Sequence, residues 1–450
     1  MTTASKYKVL LLGSGGRENA IAWKISQSAL LDSLYCFPGN PGMEAFGECI
    51  PGKVSDFGKI RNVIVEKKID IVVAGPEDPL VGGLKNYLHE DSRTSEVLFV
   101  GPDREGARLE GSKDFAKEFM CRHGIPTAEH RTFSASGIED AVLFLKGLKP
   151  PYVLKADGLA AGKGVLIIND YDEAVLELKQ MFSGKFGSAG NKVVIEQFLS
   201  GIECSVFVID DGEHYMILPV AKDYKRIKDG DEGLNTGGMG SVSPVPFADD
   251  IFMKKVEERI IKPTVKGLKE DGIDYRGFIF IGLMNCDGEP YVIEYNVRMG
   301  DPETEAVMPR IESDLLSHLV AAASGDLSKE QLEISDATSV AVISVSGGYP
   351  LSYEKGFVIK GTEKLEDVIL FHSGTARNAD GQLVTAGGRV LATVCVGKNL
   401  HSARKKVYDE MTKIAVPIIK ISLSVFEIIS LLFLLDLIIS RVVMNISSPL

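Results

Sequence analysis

The chain has 450 residues, of which 45% are hydrophobic and 25% are charged, and its net charge is −12. This length predicts roughly two to four domains, and the composition is ordinary for a soluble globular protein. An acidic balance argues against a general nucleic-acid binder, because a basic surface is the usual electrostatic signature of that class.

The cysteines and the N-terminus bear on the compartment. Six cysteines are scattered along the chain, without a C-x-x-C pair or histidines at zinc spacing. This usage predicts free thiols in a reducing compartment. Residues 1–8 show no signal-peptide or transit pattern, so we expect a cytoplasmic protein.

The first predicted unit is an open parallel sheet built of strand–turn–helix repeats. Apolar strands at 8–12, 69–73 and 97–100 each lead into a glycine-containing turn, and a helix is predicted over 19–26. The first turn lacks G-x-G-x-x-G spacing, which favours a small phosphate or carboxylate site over a dinucleotide site. The candidate residues of these turns are Gly13, Gly15, Gly16, Arg17, Glu18, Gly75, Pro76 and Glu77.

Two lysine-bearing segments follow. Ser112 is a predicted N-cap that places Lys113 in the first turn of a helix, where a cation is unfavourable unless an anion lies nearby; an exposed lysine is the alternative. A strand carrying Lys155 then enters a loop with three glycines and Lys163, and the chain returns as a strand at 165–168. The loop lacks the G-K-[ST] of a Walker A motif, and a plain hairpin is the alternative. Its composition favours a flexible cover over a polyphosphate.

The middle of the chain adds acidic and glycine-rich stretches. The strand at 193–199 ends in Glu196 and Gln197, which suit hydrogen bonds to an adenine edge and to ribose hydroxyls, and Glu203 on the next strand fits a solvated edge equally well. We interpret residues 221–240 as a functional loop, because they are too rich in glycine and charge for core structure. A helix over 251–268 supports this region.

The segment Tyr291–Glu303 carries the strongest signal. It is predicted to form a hairpin with residues 278–284 around the turn Asp287-Gly288. Strand alternation predicts an apolar face formed by Tyr291, Ile293, Tyr295 and Val297. The same alternation predicts a polar-site face formed by Val292, Glu294, Asn296 and Arg298. A carboxylate, an amide oxygen and a guanidinium in a row suit Mg²⁺ held against phosphates beside an anionic co-substrate; a solvated edge strand is the alternative.

The C-terminal third predicts a helix over 312–323 and then a small α+β unit. Short β-runs lie at 340–346, 358–360, 368–372 and 390–396, followed by a helix at 400–413. The loop 385–389 offers backbone amides and a cation. Residues 415–450 are strongly apolar but carry charges, so membrane insertion is about neutral. An alternative or aberrant C-terminus, a buried or self-associating helix and an anchor all stay open, in that order.

Together these motifs resemble the phosphoribosylamine–glycine ligases, a family of the ATP-grasp superfamily, over about residues 6–414. The resemblance rests on G-S-G-G-R-E-N at 13–19, G-S-K at 111–113, V-L-K-A-D-G-L-A-A-G-K-G-V at 153–165, D-Y-K-R followed by N-T-G-G-M-G, and E-Y-N-V-R-M-G-D-P-E. Two departures matter. The family usually has histidine where this chain has Asn19, so no role is carried over, and the apolar tail replaces the usual end of the third domain.

The resemblance implies a multidomain α/β and α+β protein. Its parts are an N-terminal open parallel α/β domain at 1–110, an ATP-grasp domain at 111–330 with a lid at about 125–197, a small α+β domain at 331–414 and the apolar tail at 415–450. The implied activity joins glycine to 5-phosphoribosylamine through glycyl phosphate, at the expense of ATP, in purine synthesis. The implied cofactors are ATP and Mg²⁺ or Mn²⁺, and no nucleic acid or membrane partner is expected. Other purine-pathway enzymes are candidate partners.

The resemblance also assigns residues to roles. The catalytic candidates are Arg298, Asp223 and Lys225. The ATP candidates are Lys113, Lys155, Gly162, Lys163, Gly164, Glu196, Gln197, Phe198, Leu199 and Glu203, and the metal candidates are Glu294 and Asn296. Besides the turns at 13–18 and 75–77, the substrate candidates are Arg226, Asn235, Thr236, Gly237, Gly238, Met239, Gly240 and Asp301. Another ATP-grasp ligase or carboxylase, although the chain has no biotinyl segment, and a non-catalytic form with an altered C-terminus remain as alternatives.

Overall fold

The computed structural model describes residues 6–159, 164–228, 230, 232–415 and 419–420. The chain opens with strands β1 (Tyr7–Gly13), β2 (Leu31–Pro38), β3 (Glu48–Cys49), β4 (Ile71–Ala74) and β5 (Leu98–Val100). The helices of this part are α1 (Gly16–Ile25), α2 (Phe57–Lys67), α3 (Glu77–Val81), α4 (Leu84–His89) and α5 (Arg108–Gly111). All strand pairs are parallel, in the order β3-β2-β1-β4-β5, which confirms the predicted open parallel sheet.

Strand β1 shows why this part of the sequence reads as a continuous apolar run. Val9 and Leu11 belong to one core, which also contains residues of α1. Leu10 and Leu12 belong to a second core, which contains residues of α2. A parallel strand buried on both faces has no polar alternation, so its sequence is apolar throughout.

The second part begins with α6 (Lys113–Arg122), whose N-cap is Ser112 as predicted, with Oγ accepting from the Phe115 amide at 3.2 Å. A four-stranded antiparallel sheet follows, with helices on one face. Its elements are β6 (His130–Ser134), α7 (Ile138–Gly147), β7 (Tyr152–Ala156), β8 (Val165–Ile168), α8 (Tyr171–Gln180) and β9 (Lys192–Gln197), in the strand order β6-β9-β7-β8. Tyr152 and Leu154 pack under α7 and α8, so Lys155 lies on the face opposite the helices.

A second antiparallel sheet carries the hairpin of the strongest sequence signal. The elements of this part of the chain are, in order, β10 (Ile202–Asp210), β11 (Tyr215–Ile217), β12 (Lys222–Lys228), β13 (Glu232–Ser243), α9 (Asp250–Val256), α10 (Lys262–Glu270), β14 (Gly277–Cys286) and β15 (Glu289–Asn296). Four of these strands form the second sheet, in the order β11-β10-β14-β15. Asp287 and Gly288 have φ angles of +52° and +85°, the left-handed pair that a tight two-residue hairpin turn requires, which confirms the predicted turn.

The last part contains α11 (Glu303–Val307), α12 (Leu315–Ser324), β16 (Thr338–Ser346), β17 (Ile369–His372), β18 (Thr375–Arg377), β19 (Leu383–Thr385), β20 (Arg389–Gly397), α13 (Leu400–Met411) and β21 (Ile419–Lys420). Helix α12 begins three residues after the predicted start at 312, because the Asp314 carboxylate accepts from the Leu316 and Ser317 amides and caps it there. Residues 358 and 360 make only isolated bridges instead of the predicted strand.

The interpretation of residues 221–240 as a loop is wrong. They form most of the hairpin β12–β13, whose second strand pairs with β16 in the sheet order β12-β13-β16-β20-β17. The strand β13 is stabilised by backbone hydrogen bonds to β16, about a hundred residues later. A glycine-rich sequence gives no local signal of such pairing.

The predicted tail divides at the limit of the described residues. The Ala415 backbone bridges to Lys360, and β21 pairs with Val345 and Ser346 of β16, so pairing with the last sheet extends to Lys420. Residues 421–450 lie outside the described part of the chain. Within that part, no helix combines the length and apolar character needed to span a bilayer.

Candidate active site

Strand β15 holds the two metal candidates on one face, but the predicted alternation is broken. Leu283 pairs with Val292 and Gly282 pairs with Glu294, so Ile293 is an extra, bulged residue. Val292 is therefore completely buried in the same core as Tyr295 and Val297, and its predicted place beside Glu294 is wrong. Glu294 and Asn296 still lie on one face of the strand, as predicted, because both come after the bulge.

The bulge also connects β15 to the lysine-bearing sheet. The Ile293 carbonyl accepts a hydrogen bond from Lys155 Nζ at 3.2 Å. Lys155 Nζ lies 2.9 Å from Glu196 Oε1, and Lys117 Nζ lies 3.0 Å from Glu196 Oε2. All three side chains are nearly fully buried, with exposed fractions of 6%, 4% and 3% for Lys155, Glu196 and Lys117.

Lys117 is a residue that the sequence analysis missed. It lies on α6, one turn beyond Lys113, and donates to Thr127 Oγ1 at 2.7 Å, which in turn donates to the Val292 carbonyl. Burial lowers the pKa of Lys117 to about 8, aided by the charge of Lys155 and opposed by Glu196. Burial alone would raise the pKa of Glu196, but the two lysines outweigh it and hold that pKa below its ordinary value.

The predicted adenine segment 196–199 is thus divided. Both carboxylate oxygens of Glu196 face lysines, so its side chain forms a buried ionic link between α6 and the sheet. Gln197 is exposed at the end of β9, and Phe198 and Leu199 are partly buried in the connection to β10. These three residues remain the accessible part of the predicted segment.

Lys113 stands at the N-terminus of α6, facing β15. Its Nζ donates to the Gly158 carbonyl at 3.3 Å, and its strongest charge interactions are with Glu294 and Lys155. Burial lowers its pKa. Asp157 holds this helix end by accepting from Ser112 Oγ at 3.1 Å and from the Asp114 amide at 2.8 Å.

The loop predicted to cover a polyphosphate is described only in part. Gly162 and Lys163 lie outside the described residues. Gly164 is buried, and its carbonyl accepts from the Ala156 amide at 2.8 Å, which closes the base of the loop.

A charged cluster surrounds Glu294, formed by Lys113, Lys155, Glu203, Asp223, Lys225 and Glu294. Lys225 Nζ lies 2.9 Å from Glu203 Oε2 and 3.9 Å from Asp223 Oδ2. The Asp223 carboxylate, together with Glu203 and Glu294, holds the pKa of Lys225 well above its ordinary value. Glu203 and Lys225 are 41% and 46% exposed, so the cluster opens to solvent.

Glu294 of this cluster and the neighbouring Asn296 fit a hard divalent cation. Glu294 and Asn296 provide a carboxylate and an amide oxygen, as Mg²⁺ prefers. Within the described residues, no group of three or more His, Cys, Asp or Glu side chains is arranged to hold a metal by itself. A cation here would take its remaining ligands from water and phosphate, the usual arrangement for Mg²⁺ at a nucleotide.

Arg298 binds the end of β15 to the first domain. Its Nη2 lies 2.6 Å from Glu110 Oε1 and 3.1 Å from Asn296 Oδ1, and its Nε lies 3.3 Å from Glu77 Oε2. Its Nη1 donates to the Met299 carbonyl at 3.2 Å. The structure thus brings the turn 75–77 beside β15, and Glu110 is a second residue that the sequence analysis missed.

The glycine turn at 13–18 is folded around Glu18. The Gly15 amide donates to Glu18 Oε2 at 2.6 Å, and Arg17 Nε lies 2.6 Å from Glu18 Oε1. A Cβ on Gly13 or Gly75 would lie 2.4 or 2.3 Å from the Glu18 side chain, so these glycines are needed for close packing. Pro76 follows as the N-cap of α3.

Asn19, the departure from the family pattern, is a buried link between domains. Its Oδ1 accepts from the His372 amide at 2.7 Å. Gly42 packs against both, since a Cβ there would lie 2.3 Å from Asn19 Oδ1 and 2.7 Å from the His372 ring. Asn19 therefore joins α1 to β17.

The remaining substrate candidates separate into two groups. Arg389 Nη1 donates to the carbonyls of Gly237 at 2.6 Å and Asp301 at 2.8 Å, and it lies 2.9 Å from Asp301 Oδ1, so these three are brought together. Gly238 packs against Pro302 beside them, and its amide donates to Thr236 Oγ1.

The other group lies within the hairpin itself. Arg226 pairs in register with Asn235 and binds the Gly233 carbonyl at 2.7 Å on the exposed part of β12–β13. Met239 is buried in the core, and Gly240 pairs with Val342. The role of these four residues in binding substrate stays a prediction.

Three family models together match most of the chain. They describe the N domain, the ATP-grasp (A) domain and the C domain of phosphoribosylglycinamide synthetase, at residues 7–110, 111–304 and 339–420. The chain is 42% identical over 409 residues to a phosphoribosylamine–glycine ligase of Caldanaerobacter subterraneus, covering 91% of this chain and 96% of that protein.

Solved structures show the same fold. The crystal structure of phosphoribosylamine–glycine ligase from Thermotoga maritima is 36% identical, with a TM-score of 0.82 over 93% of this chain and 99% of that chain. The biotin carboxylase domain of Hydrogenobacter thermophilus 2-oxoglutarate carboxylase, in complex with MgADP, ADP and bicarbonate, has a TM-score of 0.69 at 15% identity, covering 93% of this chain and 92% of that one. The second likeness is one of fold alone.

Proposed function

This chain belongs to the phosphoribosylglycinamide synthetase family, and on that premise we propose that its charged cluster joins glycine to 5-phosphoribosylamine at the expense of ATP. The products are glycinamide ribonucleotide, ADP and phosphate. The observation that carries this proposal is the meeting of Lys113, Lys225 and Glu294, which places cations from α6 and β12 around one carboxylate of β15.

The chemistry needs positioning and charge neutralisation, without a protein nucleophile. The glycine carboxylate attacks the γ-phosphorus of ATP, and the bond to ADP breaks to give glycyl phosphate. The amine of phosphoribosylamine then attacks the acyl carbon, phosphate leaves, and the amine releases a proton. Oriented cations and amides are the groups that accelerate such transfers.

ATP would lie between the lysine-bearing sheet and β15. Lys113 and Lys155 are placed to contact its phosphates, with Gly162 to Gly164 in the covering loop. The accessible hinge Gln197–Leu199 is assigned to adenine and Glu203 to the ribose. Because Glu196 is sealed between two lysines, we assign it to holding Lys155 in place.

Glu294 and Asn296 would hold Mg²⁺, or Mn²⁺ in its place. A bound divalent cation neutralises charge on the phosphate oxygens. The two side chains need only share one face of the strand to serve as neighbouring ligands, and the bulge at Ile293 leaves that relation intact.

The acid and amine would bind beyond the cation, toward the first domain. Arg298 has five N–H groups, of which four are used by Glu77, Glu110, Asn296 and the Met299 carbonyl. It can therefore offer charge and a single hydrogen bond to glycine or to the transferring phosphoryl group. Asp223 and Lys225 lie on the other side of Glu294.

The phosphoribosylamine end is assigned to the turns at 13–18 and 75–77, with Asp301 and Arg389 beside them. In this structure the Gly15 amide is bonded to Glu18, so binding a phosphate there would require Glu18 to yield that amide. All six cysteines are free, which fits the cytoplasm that we propose as the compartment.

The test is a reconstitution with the purified chain. Phosphate release and the mass of the product are followed with ATP and Mg²⁺, with glycine and phosphoribosylamine each omitted in turn. We expect glycinamide ribonucleotide, at one phosphate per product, only when all components are present. Equal turnover with another amino acid or another amine would refute the assignment.

A further inference from the structure

Glu110 closes the end of β15 from the first domain. It lies on α5, and its carboxylate is only 6% exposed. Oε2 accepts from the Val297 amide at 2.8 Å, and Oε1 accepts from Arg298 Nη2 at 2.6 Å. Both oxygens are therefore directed at the two residues that follow the strand.

The bond to Val297 replaces the missing sheet partner. The ladder between β14 and β15 ends at Phe280 and Asn296, and Val297 is 1% exposed. A buried amide without an acceptor is costly, so Glu110 fixes the backbone where the strand leaves its sheet.

The bond to Arg298 reaches the metal candidate. The same Nη2 group that donates to Glu110 also donates to Asn296 Oδ1 at 3.1 Å. Because Arg298 is a hydrogen-bond donor, the end of the Asn296 amide that faces it is the oxygen. That bond uses one lone pair of the oxygen and leaves the second available. Outer partners of this kind commonly orient the groups that ligate metals.

The charges explain why a carboxylate is needed. Glu77 and Glu110 face Arg298, and Arg17 lies close enough to interact with Glu77. Without the charge on Glu110, Arg298 would keep Glu77 as its one anionic partner among these groups. That shift would draw the guanidinium away from Asn296.

We propose that Glu110 is a positioning residue that, through Arg298, orients the Asn296 oxygen for a divalent cation. This inference rests on the proposed function only in taking Asn296 as a ligand of the cation at ATP. It does not depend on which acid and which amine the enzyme joins.

The test measures Mn²⁺ binding by paramagnetic resonance on the full chain with saturating non-hydrolysable ATP analogue. In Glu110→Gln we expect the Mn²⁺ concentration for half-saturation to rise by about 10- to 100-fold. Binding of the analogue without metal should stay within about twofold, because the lysines that contact it are untouched. The matched control is Glu105→Gln, an exposed partner of Arg108 just before α5, which should leave both measurements unchanged.

A double-mutant cycle separates positioning from general support. If Glu110 acts through Arg298, adding Glu110→Gln to Arg298→Gln should give no further loss of Mn²⁺ affinity. The proposal would be overturned if the double variant lost Mn²⁺ affinity by the product of the two single losses. Unchanged Mn²⁺ binding in Glu110→Gln would overturn it as well. If Glu110→Gln fails to fold, Glu110→Asp decides, because it keeps the charge but is too short for both bonds. A rise of at least about fivefold supports the proposal, and wild-type affinity overturns it.

Failure of this cycle is distinguishable from failure of the proposed function. Metal binding can be normal in a protein that joins a different acid and amine. Conversely, the reconstitution can succeed while Glu110 proves to be independent of the metal.

Discussion

Glu196→Gln is the substitution whose effect the structure predicts most sharply. In the wild type one carboxylate lies 2.9 Å from Lys155 and 3.0 Å from Lys117, all buried. The amide keeps the shape of the side chain but removes its charge, so two buried lysines lose the anion that they share. Removing one partner of a buried ion pair typically costs about 3–5 kcal/mol.

The pH dependence of this loss identifies its cause. Lysine in an unfolded chain has a pKa of about 10.4, and burial lowers the pKa of Lys117 in the folded protein to about 8. Between these values the unfolded state binds more protons, so the free energy of unfolding rises with pH. In the variant the folded pKa falls further, so the window extends below pH 8.

The expected deficit of the variant is about 3–5 kcal/mol at pH 8, where Lys155 is left unpaired. It should grow by up to about 1.4 kcal/mol for each unit from pH 8 toward pH 6, because Lys117 must give up its proton in the folded variant but not in the wild type. Urea denaturation followed by circular dichroism at pH 6, 7 and 8 measures it.

The matched control is Glu48→Gln. Glu48 lies 2.9 Å from Lys67, the same separation, but its side chain is 54% exposed. An exposed pair should contribute less than about 1 kcal/mol. The reasoning is refuted if the two variants lose similar stability, or if the Glu196→Gln deficit is the same at pH 6 and pH 8.

Three further predictions address the metal, a buried acid and a glycine contact. Glu294→Gln should lower Mg²⁺-dependent phosphate release by at least about 100-fold with an unchanged melting temperature, because one carboxylate charge is lost from the cation; near-normal turnover would exclude its ligand role. Burial raises the pKa of Asp210 to about 7. The folded wild type therefore binds more protons than the unfolded chain between about pH 4 and 7, and it loses stability as pH rises through that window. Asp210→Asn should remove this slope. In urea denaturation, the free energy of unfolding of the variant relative to the wild type should therefore be higher at pH 8 than at pH 4 by up to about 4 kcal/mol. Parallel pH profiles for the two proteins would contradict this prediction. Gly238→Ala should lower the melting temperature more than Gly184→Ala. Both glycines have positive φ, but a Cβ at Gly238 would lie 2.3 Å from Pro302, whereas a Cβ at Gly184 would have no atom within 4 Å. Equal losses of melting temperature would show that backbone strain alone determines the effect.

Features that depend on neighbouring residues could be predicted from the sequence alone. The turn at Asp287-Gly288, the cap at Ser112 and the buried run of β1 are set by backbone preference and local hydrogen bonding, so their positions could be predicted. The pairing of Glu294 with Asn296 on one face follows from strand alternation over two residues. The family motifs carried the fold class for the same reason, because each is a short contiguous signal.

Features that depend on partners far along the chain became visible in the folded structure. Whether 221–240 is a loop or a hairpin depends on β16, and the bulge at Ile293 depends on register with β14, which one strand does not reveal. Lys117 and Glu110 look like ordinary helix residues until packing brings them against Glu196 and Arg298. Charged groups become part of a site through burial beside a partner, and burial is a property of the folded chain.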